Sequence, residues 1–254
     1  MADSGRSQAS SPGKTRYLKS WFSMLATARG RAALAWYVDN GIAETVAATA
    51  TTPEITWSQD GEDLNLAECL PNHGFFVDVG AHHPDRFSVT RKLSDAGWTG
   101  VNIDVSPDFV RLFAARRPRD TNVRSLVGQP GERQFWHFTE PALSTLDEER
   151  ARRLQDEGWA VSSIESMQVR TLTEILAPLS IPAVIDLLSV DVEGADLEVL
   201  QSLDWDHWHV RRALVELSTP ANRVEDHPVA AFLIERGLAV TRVWGRSCLF
   251  EETA

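Results

Sequence analysis

The sequence predicts an α/β protein with a mostly parallel sheet and helices on both of its faces. Three observations lead to this class. Short apolar segments alternate with helical segments from residue 53 onward. The first of them, residues 75–79, has four large apolar side chains in five positions, which is typical of a strand buried on both faces. The last two are separated by only three residues, a loop that permits a hairpin and not a parallel crossover, so we expect an antiparallel strand there.

The predicted elements follow one another in a regular order. Predicted strands cover residues 75–79, 100–105, 122–127, 184–190, 213–217, 239–243 and 247–251. Predicted helices cover residues 84–96, 107–116, 195–203 and 228–236, and a mixed region extends from 128 to 168. The strands are short runs rich in apolar side chains, whereas each helical segment begins at a proline or directly after a glycine.

The N-terminal fifth of the chain differs in composition from the rest. Residues 1–14 are polar and small, and we expect a disordered tail because they cannot bury enough apolar surface to offset the entropy lost on ordering. Residues 15–52 place large apolar side chains at helical spacings, with Gly30 and Gly41 as breaks, which predicts two helices. These helices either pack on the main domain or on a second subunit, giving a homodimer, or they cap an acceptor pocket. Residues 53–254 are expected to form the catalytic domain.

Composition excludes several classes of protein. The formal net charge of −11 argues against a nucleic-acid groove. No uninterrupted apolar stretch reaches membrane-spanning length, so we expect no membrane span. Two cysteines, Cys69 and Cys248, are too few for a disulfide framework. We therefore expect a cytoplasmic protein.

Polar residues and glycine follow the first strands, where open α/β sheets bind ligands. The first strand end supplies Asp78, Gly80 and Ala81. The second ends at Asp104, 24 residues after Gly80, close to where an acidic residue accepts hydrogen bonds from ribose hydroxyls. The third ends at Ser125 and Leu126, which could border a purine ring. An adenosine-containing cofactor is predicted, and the lack of a GxGxxG pattern favours S-adenosylmethionine over a dinucleotide. The alternative for Asp78 is a cap on the following helix or turn.

A second acidic group follows the fourth long strand. Strand alternation would place Asp191 and Glu193 on the same side, where they repel unless a cation or a proton lies between them. Mg²⁺ could supply that charge, with Glu216 as a third oxygen ligand, and could lower the pKa of an acceptor hydroxyl. In the metal-free alternative, one carboxylate takes the proton and the other orients the acceptor or the sulfonium. A further alternative for Glu193 is to cap the helix that follows.

Two histidines follow the glycine turn after the first strand. His82 and His83 should lie near the pocket, and either could act as a general base, although loop histidines are commonly just solvated. We expect His83 to join Asp191 and Glu193 as a catalytic residue.

Five segments in this order resemble the FkbM-type family of S-adenosylmethionine-dependent methyltransferases. They are SQDGEDLNL (58–66), FFVDVGAHHPDRFSVTRKLSDAGWTGVNIDVSPD (75–108), RPRDTNV (117–123), IDLLSVDVEGADLEVLQSLDW (185–205) and LVELS (214–218). The resemblance covers roughly residues 58–250, and it is the order of the motifs that makes it specific.

The resemblance implies a Rossmann-like methyltransferase fold with seven strands and methyl transfer to a hydroxyl oxygen, often on a sugar or a secondary metabolite such as a polyketide. By motif position, Asp78, Gly80 and Ala81 would line the methionine and ribose side of the cofactor. Asp104 would bind the ribose, and Ser88 could reach the methionine end. A further resemblance, to actinobacterial sugar methyltransferases that cap methylated mannose polysaccharides, has no motif of its own.

The sequence departs from the family pattern at the second strand end. Asp104 stands where the family more often has Glu before a proline, and Val105 occupies the proline position. Aspartate keeps the acceptor function with a shorter reach. Two other classes fit less well: a dehydrogenase or epimerase would need a fuller glycine pattern, and a non-catalytic nucleotide-binding module would not need the paired carboxylates.

Overall fold

A seven-stranded sheet forms the centre of the structure, a computed structural model that describes residues 56–217 and 221–253. In chain order the helices and strands are α1 (Glu62–Cys69), β1 (Phe75–Val79), α2 (Arg91–Asp95), β2 (Thr99–Asp104), α3 (Pro107–Arg116), β3 (Thr121–Arg124), β4 (Leu126–Val127), β5 (Gly131–Phe138), α4 (Glu148–Asp156), β6 (Val161–Arg170), α5 (Leu172–Leu176), β7 (Val184–Ile185), β8 (Leu187–Val190), α6 (Asp196–Gln201), β9 (His209–Val210), β10 (Arg212–Glu216), α7 (Pro228–Ile234), β11 (Leu238–Trp244) and β12 (Ser247–Glu252). No helix within these described ranges is long and apolar enough to cross a membrane. The predicted tail 1–14, the helical segment 15–52 with its dimer contact, and the boundary at 53 lie outside the described residues.

The order of the strands in space is β11-β12-β10-β8-β1-β2-β3. From β3 to β10 neighbouring strands run parallel, whereas β12 lies antiparallel between β10 and β11. The chain order reverses at β1, which has β2 on one side and β8 on the other. This is the switch point at which open α/β sheets bind ligands. The predicted α/β class, with a seven-stranded and mostly parallel sheet, is confirmed.

Both faces of the sheet are buried, as the apolar pattern of β1 predicts. Phe76 faces a cluster that includes residues of α1 and α2. Val77 and Val79 face the larger cluster, which includes residues of α5, α6 and α7. Because side chains alternate along a strand, one apolar strand fills two cores at once.

The helix predicted over residues 84–96 is shorter in the structure, where α2 begins at Arg91. Residues 81–90 form a loop instead, called loop 81–90 below. Its His82 and Phe87 have φ angles of 53° and 57°, which a right-handed helix excludes. Tertiary contacts of this loop therefore overrule its local helical pattern.

Two predicted strands are each divided by one polar residue. Residues 122–127 are split at Ser125, whose N–H donates to the Asp104 carbonyl (3.1 Å), and β4 then leaves the main sheet. Residues 184–190 are split at Asp186, so that β7 pairs with β9 and only β8 belongs to the main sheet.

The mixed region predicted from 128 to 168 contains a long hairpin. β5 and β6 pair antiparallel, and β6 also pairs with β4, which gives a small three-stranded sheet. A 3-10 helix, Pro141–Leu143, and α4 lie between β5 and β6 and share a small apolar core with them. Residues 131–170 are called the hairpin unit below.

Candidate active site

A cavity of about 280 Å³ lies beyond the carboxyl ends of β1, β2 and β8, at the switch point of the sheet. The hairpin unit contributes its other wall, including Phe135 and Phe138. Seven of the sequence-predicted site residues line this cavity or lie beside it, namely Gly80, Asp104, Ser125, Leu126, Asp191, Glu193 and, in an adjoining smaller cavity, Glu216.

Gly80 lets the ends of two neighbouring strands come together. Its φ is 81°, and a Cβ atom added to it would lie 1.9 Å from the carbonyl oxygen of Asp191. The N–H groups of Gly80 and Ala81 both donate to the Ile103 carbonyl, at 2.9 and 3.1 Å. Both N–H groups are therefore bonded to β2, and the glycine is required by its contact with Asp191, directly after β8, and by its left-handed backbone.

Asp104 ends β2 with its carboxylate held from both sides. Its Oδ2 accepts from the N–H of His82 (2.9 Å) and its Oδ1 accepts from the N–H of Ser106 (2.7 Å). Burial raises the pKa of this carboxyl to about 7, against the lowering effect of the two N–H groups. Each carboxylate oxygen has a further lone pair, so Asp104 can still accept hydrogen bonds from a ligand.

Three residues of the cavity wall have left-handed backbone conformations without being glycine. They are His82, Phe87 and Glu193, with φ angles of 53°, 57° and 56°, and they are the non-glycine residues with positive φ in the part of the chain that is described. Such residues cost about 1–3 kcal/mol each and cluster at functional sites. The His82 ring lies 4.5 Å from the ring of Phe109, which also lines the cavity.

The three predicted carboxylates, Asp191, Glu193 and Glu216, do not lie together at one strand end as expected. β8 ends at Val190, so Asp191 and Glu193 lie in the turn after the strand, and both line the main cavity. Glu216 ends β10 and lines a smaller cavity of about 30 Å³, which also has Asp191 in its wall. Asp191 therefore stands between the two cavities.

Arginines and a shared proton balance these charges. Glu193 forms an ion pair with Arg150 of α4, and Glu216 forms one with Arg246 of the turn before β12. Burial and the charge of the neighbouring Glu216 raise the pKa of Asp191, and two carboxyl groups this close favour a proton between them. Since Arg246 favours the charged form of Glu216, the proton resides mainly on Asp191, whose pKa is raised by burial and by Glu216.

The pKa of Glu193 is raised to about 7 by burial and by Asp191, against the effect of Arg150. The charge expected from a metal is therefore supplied by two guanidinium groups. Within the described residues, no three His, Cys, Asp or Glu side chains are grouped so that they could hold a metal ion. The predicted set of Asp191, Glu193 and Glu216 does not fit Mg²⁺ in this geometry.

Four predicted site residues do not reach the cavity wall. Asp78 is 3% exposed, and its Oδ2 accepts from the hydroxyl of Thr90 (2.8 Å). Ser88 and Ala81 are 1% and 3% exposed. His83 is 7% exposed, its Nδ1 accepts from a backbone N–H two residues on (3.0 Å), and burial lowers its pKa to about 4. The histidine of this pair that lines the cavity is His82, because the left-handed turn directs the two side chains differently.

Several residues of the site were not predicted from the sequence. Gln59 and Phe87 line both cavities, and Phe109 lines the main one. Arg150 and Arg246 pair with the two glutamates. Gln59 lies in a segment that the family resemblance already marks, whereas the two arginines lie among many other arginines and give no sequence signal of their own.

The hairpin unit contacts the rest of the domain on two sides of the cavity. Glu140 pairs with Arg86 of loop 81–90 (3.0 Å). On the other side, the Thr145 hydroxyl donates to the Glu193 carbonyl (3.1 Å), and Arg150 pairs with the Glu193 carboxylate. The cover of the cavity is thus bound to the same loop and turn that form its floor.

Comparison with known proteins identifies a family for most of this region. The family model described as methyltransferase FkbM domain matches residues 78–240, from within β1 to within β11. The chain is also 46% identical over 59 residues to methyltransferase sdnD of Sordaria araneosa. That match covers 23% of this chain and 22% of the relative, so it spans about a fifth of the length of the curated protein.

Two solved structures are similar to the chain, with little sequence identity. TrmK of M. capricolum, in complex with S-adenosyl-homocysteine, has a TM-score of 0.41 and 9% identity, over 75% of this chain and 67% of that one. Precorrin-6y C5,15-methyltransferase of Geobacter metallireducens GS-15 has a TM-score of 0.41 and 13% identity, over 85% of this chain and 96% of that one.

Proposed function

The chain belongs to the family of proteins with a methyltransferase FkbM domain, and we propose that it transfers the methyl group of S-adenosylmethionine to a hydroxyl oxygen of a sugar or oligosaccharide. The observation that carries this proposal is that Asp104, Gly80 and Asp191 line the same cavity at the switch point. It combines an acidic group suited to a ribose with a second carboxyl group suited to an acceptor hydroxyl.

The residues of the main cavity fit S-adenosylmethionine. Its volume of about 280 Å³ is close to the lower end of the range of roughly 300–1,000 Å³ for ligand pockets. Asp104 would accept hydrogen bonds from the ribose hydroxyls, and Ser125 and Leu126 would border the purine. When bound, S-adenosylmethionine supplies an electrophilic methyl group. The protein would contribute mainly orientation and removal of a proton.

Asp191 and Glu216 together would receive the proton of the acceptor hydroxyl. Burial and mutual repulsion raise the pKa of both carboxyls, which favours a pair that holds one proton, and the ion pair with Arg246 favours Glu216 as its ionised member. One Asp191 oxygen can take the acceptor proton while the proton already on Asp191 passes to Glu216, so the pair ends with two protons and the acceptor oxygen becomes nucleophilic. Glu193, held by Arg150, would orient the acceptor.

The polarity of the site supports a hydroxyl-rich acceptor. Three serines of the hairpin unit, Ser144, Ser162 and Ser163, are among the residues that line the main cavity. The smaller cavity beyond Asp191 is lined largely by polar or charged side chains, among them Gln59. Such walls offer hydrogen-bond partners to a sugar and leave fewer apolar contacts for an aromatic polyketide.

The test is methyl transfer from labelled S-adenosylmethionine to a panel of mannosides, short manno-oligosaccharides and hydroxylated polyketides. We expect O-methylated product from a saccharide, with the position of the new methyl group read by NMR. Asp191→Asn should lower kcat by about 100-fold or more, as for loss of a general base, while the affinity for S-adenosylhomocysteine is kept. Excess chelator should leave the rate unchanged, because the carboxylates already have arginine partners.

Each part of the proposal has an outcome that contradicts it. Methylation of polyketides alone would overturn the acceptor class. Full turnover by Asp191→Asn would remove its chemical role, and loss of activity in chelator with recovery on Mg²⁺ addition would restore the metal alternative. Cofactor binding without methyl transfer to any acceptor would indicate a non-catalytic nucleotide-binding module.

A further inference from the structure

A buried arginine outside the cavity connects several elements that shape the cavity. Arg117 follows α3 directly and is 3% exposed. Its Nη1 donates to the Thr90 hydroxyl (2.9 Å), and its Nη2 donates to the Ser88 hydroxyl (2.6 Å) and the Pro84 carbonyl (2.7 Å). One guanidinium group therefore binds three different residues of loop 81–90.

The same arginine is linked to the central strands through a single hydroxyl. Thr90 accepts from Arg117 and donates to Oδ2 of Asp78 in β1 (2.8 Å). Asp78 is also hydrogen-bonded to Ser189 of β8. The buried guanidinium of Arg117 therefore lies near the buried carboxylate of Asp78, and Thr90 is hydrogen-bonded to both. Charges inside a protein are tolerated when they are paired and hydrogen-bonded in this way.

Loop 81–90 needs external contacts to keep its shape. Its His82 and Phe87 have the left-handed backbone that side chains disfavour, and both line the cavity. A segment with such residues persists only where its surroundings determine its conformation. Three of the bonds that do so come from Arg117, at the base of the loop.

We infer that Arg117 is a positioning residue, which holds loop 81–90 in the conformation that places His82 and Phe87 in the wall of the cofactor cavity. The inference rests on the proposed function in one respect, that S-adenosylmethionine occupies this cavity. It also gives Asp78 and Ser88 a different role from the direct cofactor contact expected of them, since both belong to the support behind the wall.

The chemistry of the site favours arginine over lysine. A planar guanidinium can direct several N–H groups at fixed angles, and here two nitrogens reach three acceptors. An ammonium group on a shorter side chain keeps the charge beside Asp78 but cannot reach all three acceptors at once. Arg117→Lys therefore tests whether the positive charge alone is enough, or whether the three hydrogen bonds of the guanidinium are also needed.

The experiment measures S-adenosylhomocysteine affinity and hydrogen exchange in the full-length chain. Arg117→Met should weaken binding by at least about tenfold, and amides of residues 81–90 should exchange faster while those of β10 and β12 do not change. Arg117→Lys should lie between Met and the wild type. Arg119→Met is the matched control, because Arg119 lies two residues away and donates to the Ser94 carbonyl (2.6 Å) rather than to the loop.

Binding by folded Arg117→Met within about twofold of the wild type, with unchanged exchange in the loop, would overturn the inference. If Arg117→Met does not fold, Ser88→Ala and Thr90→Val remove single acceptors and should show smaller effects in the same direction. Unchanged binding and exchange in both would equally overturn it. If the wild type does not bind S-adenosylhomocysteine, the proposed function fails, and exchange in the loop still decides whether Arg117 holds it.

Discussion

Gly80 shows how one residue links the two halves of the cavity. Its left-handed φ and its contact with the Asp191 carbonyl both require the absence of a side chain. The same contact sets the distance between the end of β1 and the turn that carries Asp191. The position of Asp191 therefore depends on the lack of a side chain at Gly80.

A comparison of Gly80→Ala with Gly61→Ala distinguishes two causes of lost stability, the strain of a left-handed backbone and a steric clash of the new Cβ atom. Gly61 has a similar φ of 84°, but a Cβ atom there would have nothing within 4 Å. We expect Gly61→Ala to cost about 1 kcal/mol of unfolding free energy through strain alone. Gly80→Ala should cost about 3 kcal/mol or more, because the turn at Asp191 must also move. Denaturant unfolding measures both, and equal losses would contradict the account.

At the scale of the elements, the hairpin unit is the feature that completes the cavity. Its α4 has Asp147 as an N-cap and buries Ala151 and Leu154 against the unit's own small core. Arg150, one turn before Leu154 on the same helix, pairs with Glu193. A segment of the predicted mixed region in which most side chains of the helix are charged thus supplies a residue of the site.

Arg150→Met should change the pH dependence of the reaction. Arg150 favours the charged form of Glu193, whose pKa is about 7. Removing the guanidinium raises that pKa further, so the rising limb of kcat/KM should move to higher pH by about one pH unit. Arg153→Met is the control, because Arg153 lies on the same helix and pairs with Glu149 at the surface (3.0 Å). A limb that stays in place would show that Glu193 ionisation does not govern turnover.

The sequence predicts elements well where local pattern and tertiary role agree. β1 is bounded as predicted because its apolar run suits a doubly covered strand, and α3 is bounded as predicted because Ser106 caps it and proline begins it. Loop 81–90 could not be predicted, because Arg117 and Asp104 hold it from elsewhere in the chain. Burial of Arg117 among neighbouring arginines is likewise a tertiary property.

At the scale of the whole molecule, the acidic character of the chain extends into its interior. The formal charge is −11, and burial raises the pKa of three partly buried carboxyls of the cavity walls, Asp104, Glu193 and Glu216, to about 7. In the unfolded chain the same groups would have pKa values near 3.8 for Asp and 4.5 for Glu. Ionisation of these groups in the folded protein lowers the free energy of unfolding. Such unfavourable groups are typical of functional sites, and these lie where the chemistry is proposed to occur.

This difference predicts that the protein without ligand is more stable in mild acid than at neutral pH. The folded state keeps protons that the unfolded chain releases above about pH 4 to 4.5, so this contribution is present at low pH and is lost as pH rises through about 7. The midpoint of thermal unfolding should fall by roughly 5 °C or more between pH 5.5 and 7.5. The double variant Asp104→Asn/Glu193→Gln should flatten the curve, and a midpoint that rises over this range would contradict these pKa values.

In the proposed function, the cavity at the switch point binds S-adenosylmethionine through Asp104, and Asp191 serves the acceptor. Isothermal titration with S-adenosylhomocysteine tests it most directly. We expect one site per chain, an affinity that Asp104→Ala lowers by at least about tenfold, and an affinity that Asp191→Asn keeps within about threefold. No binding by the wild type, or equal binding by Asp104→Ala, would contradict it.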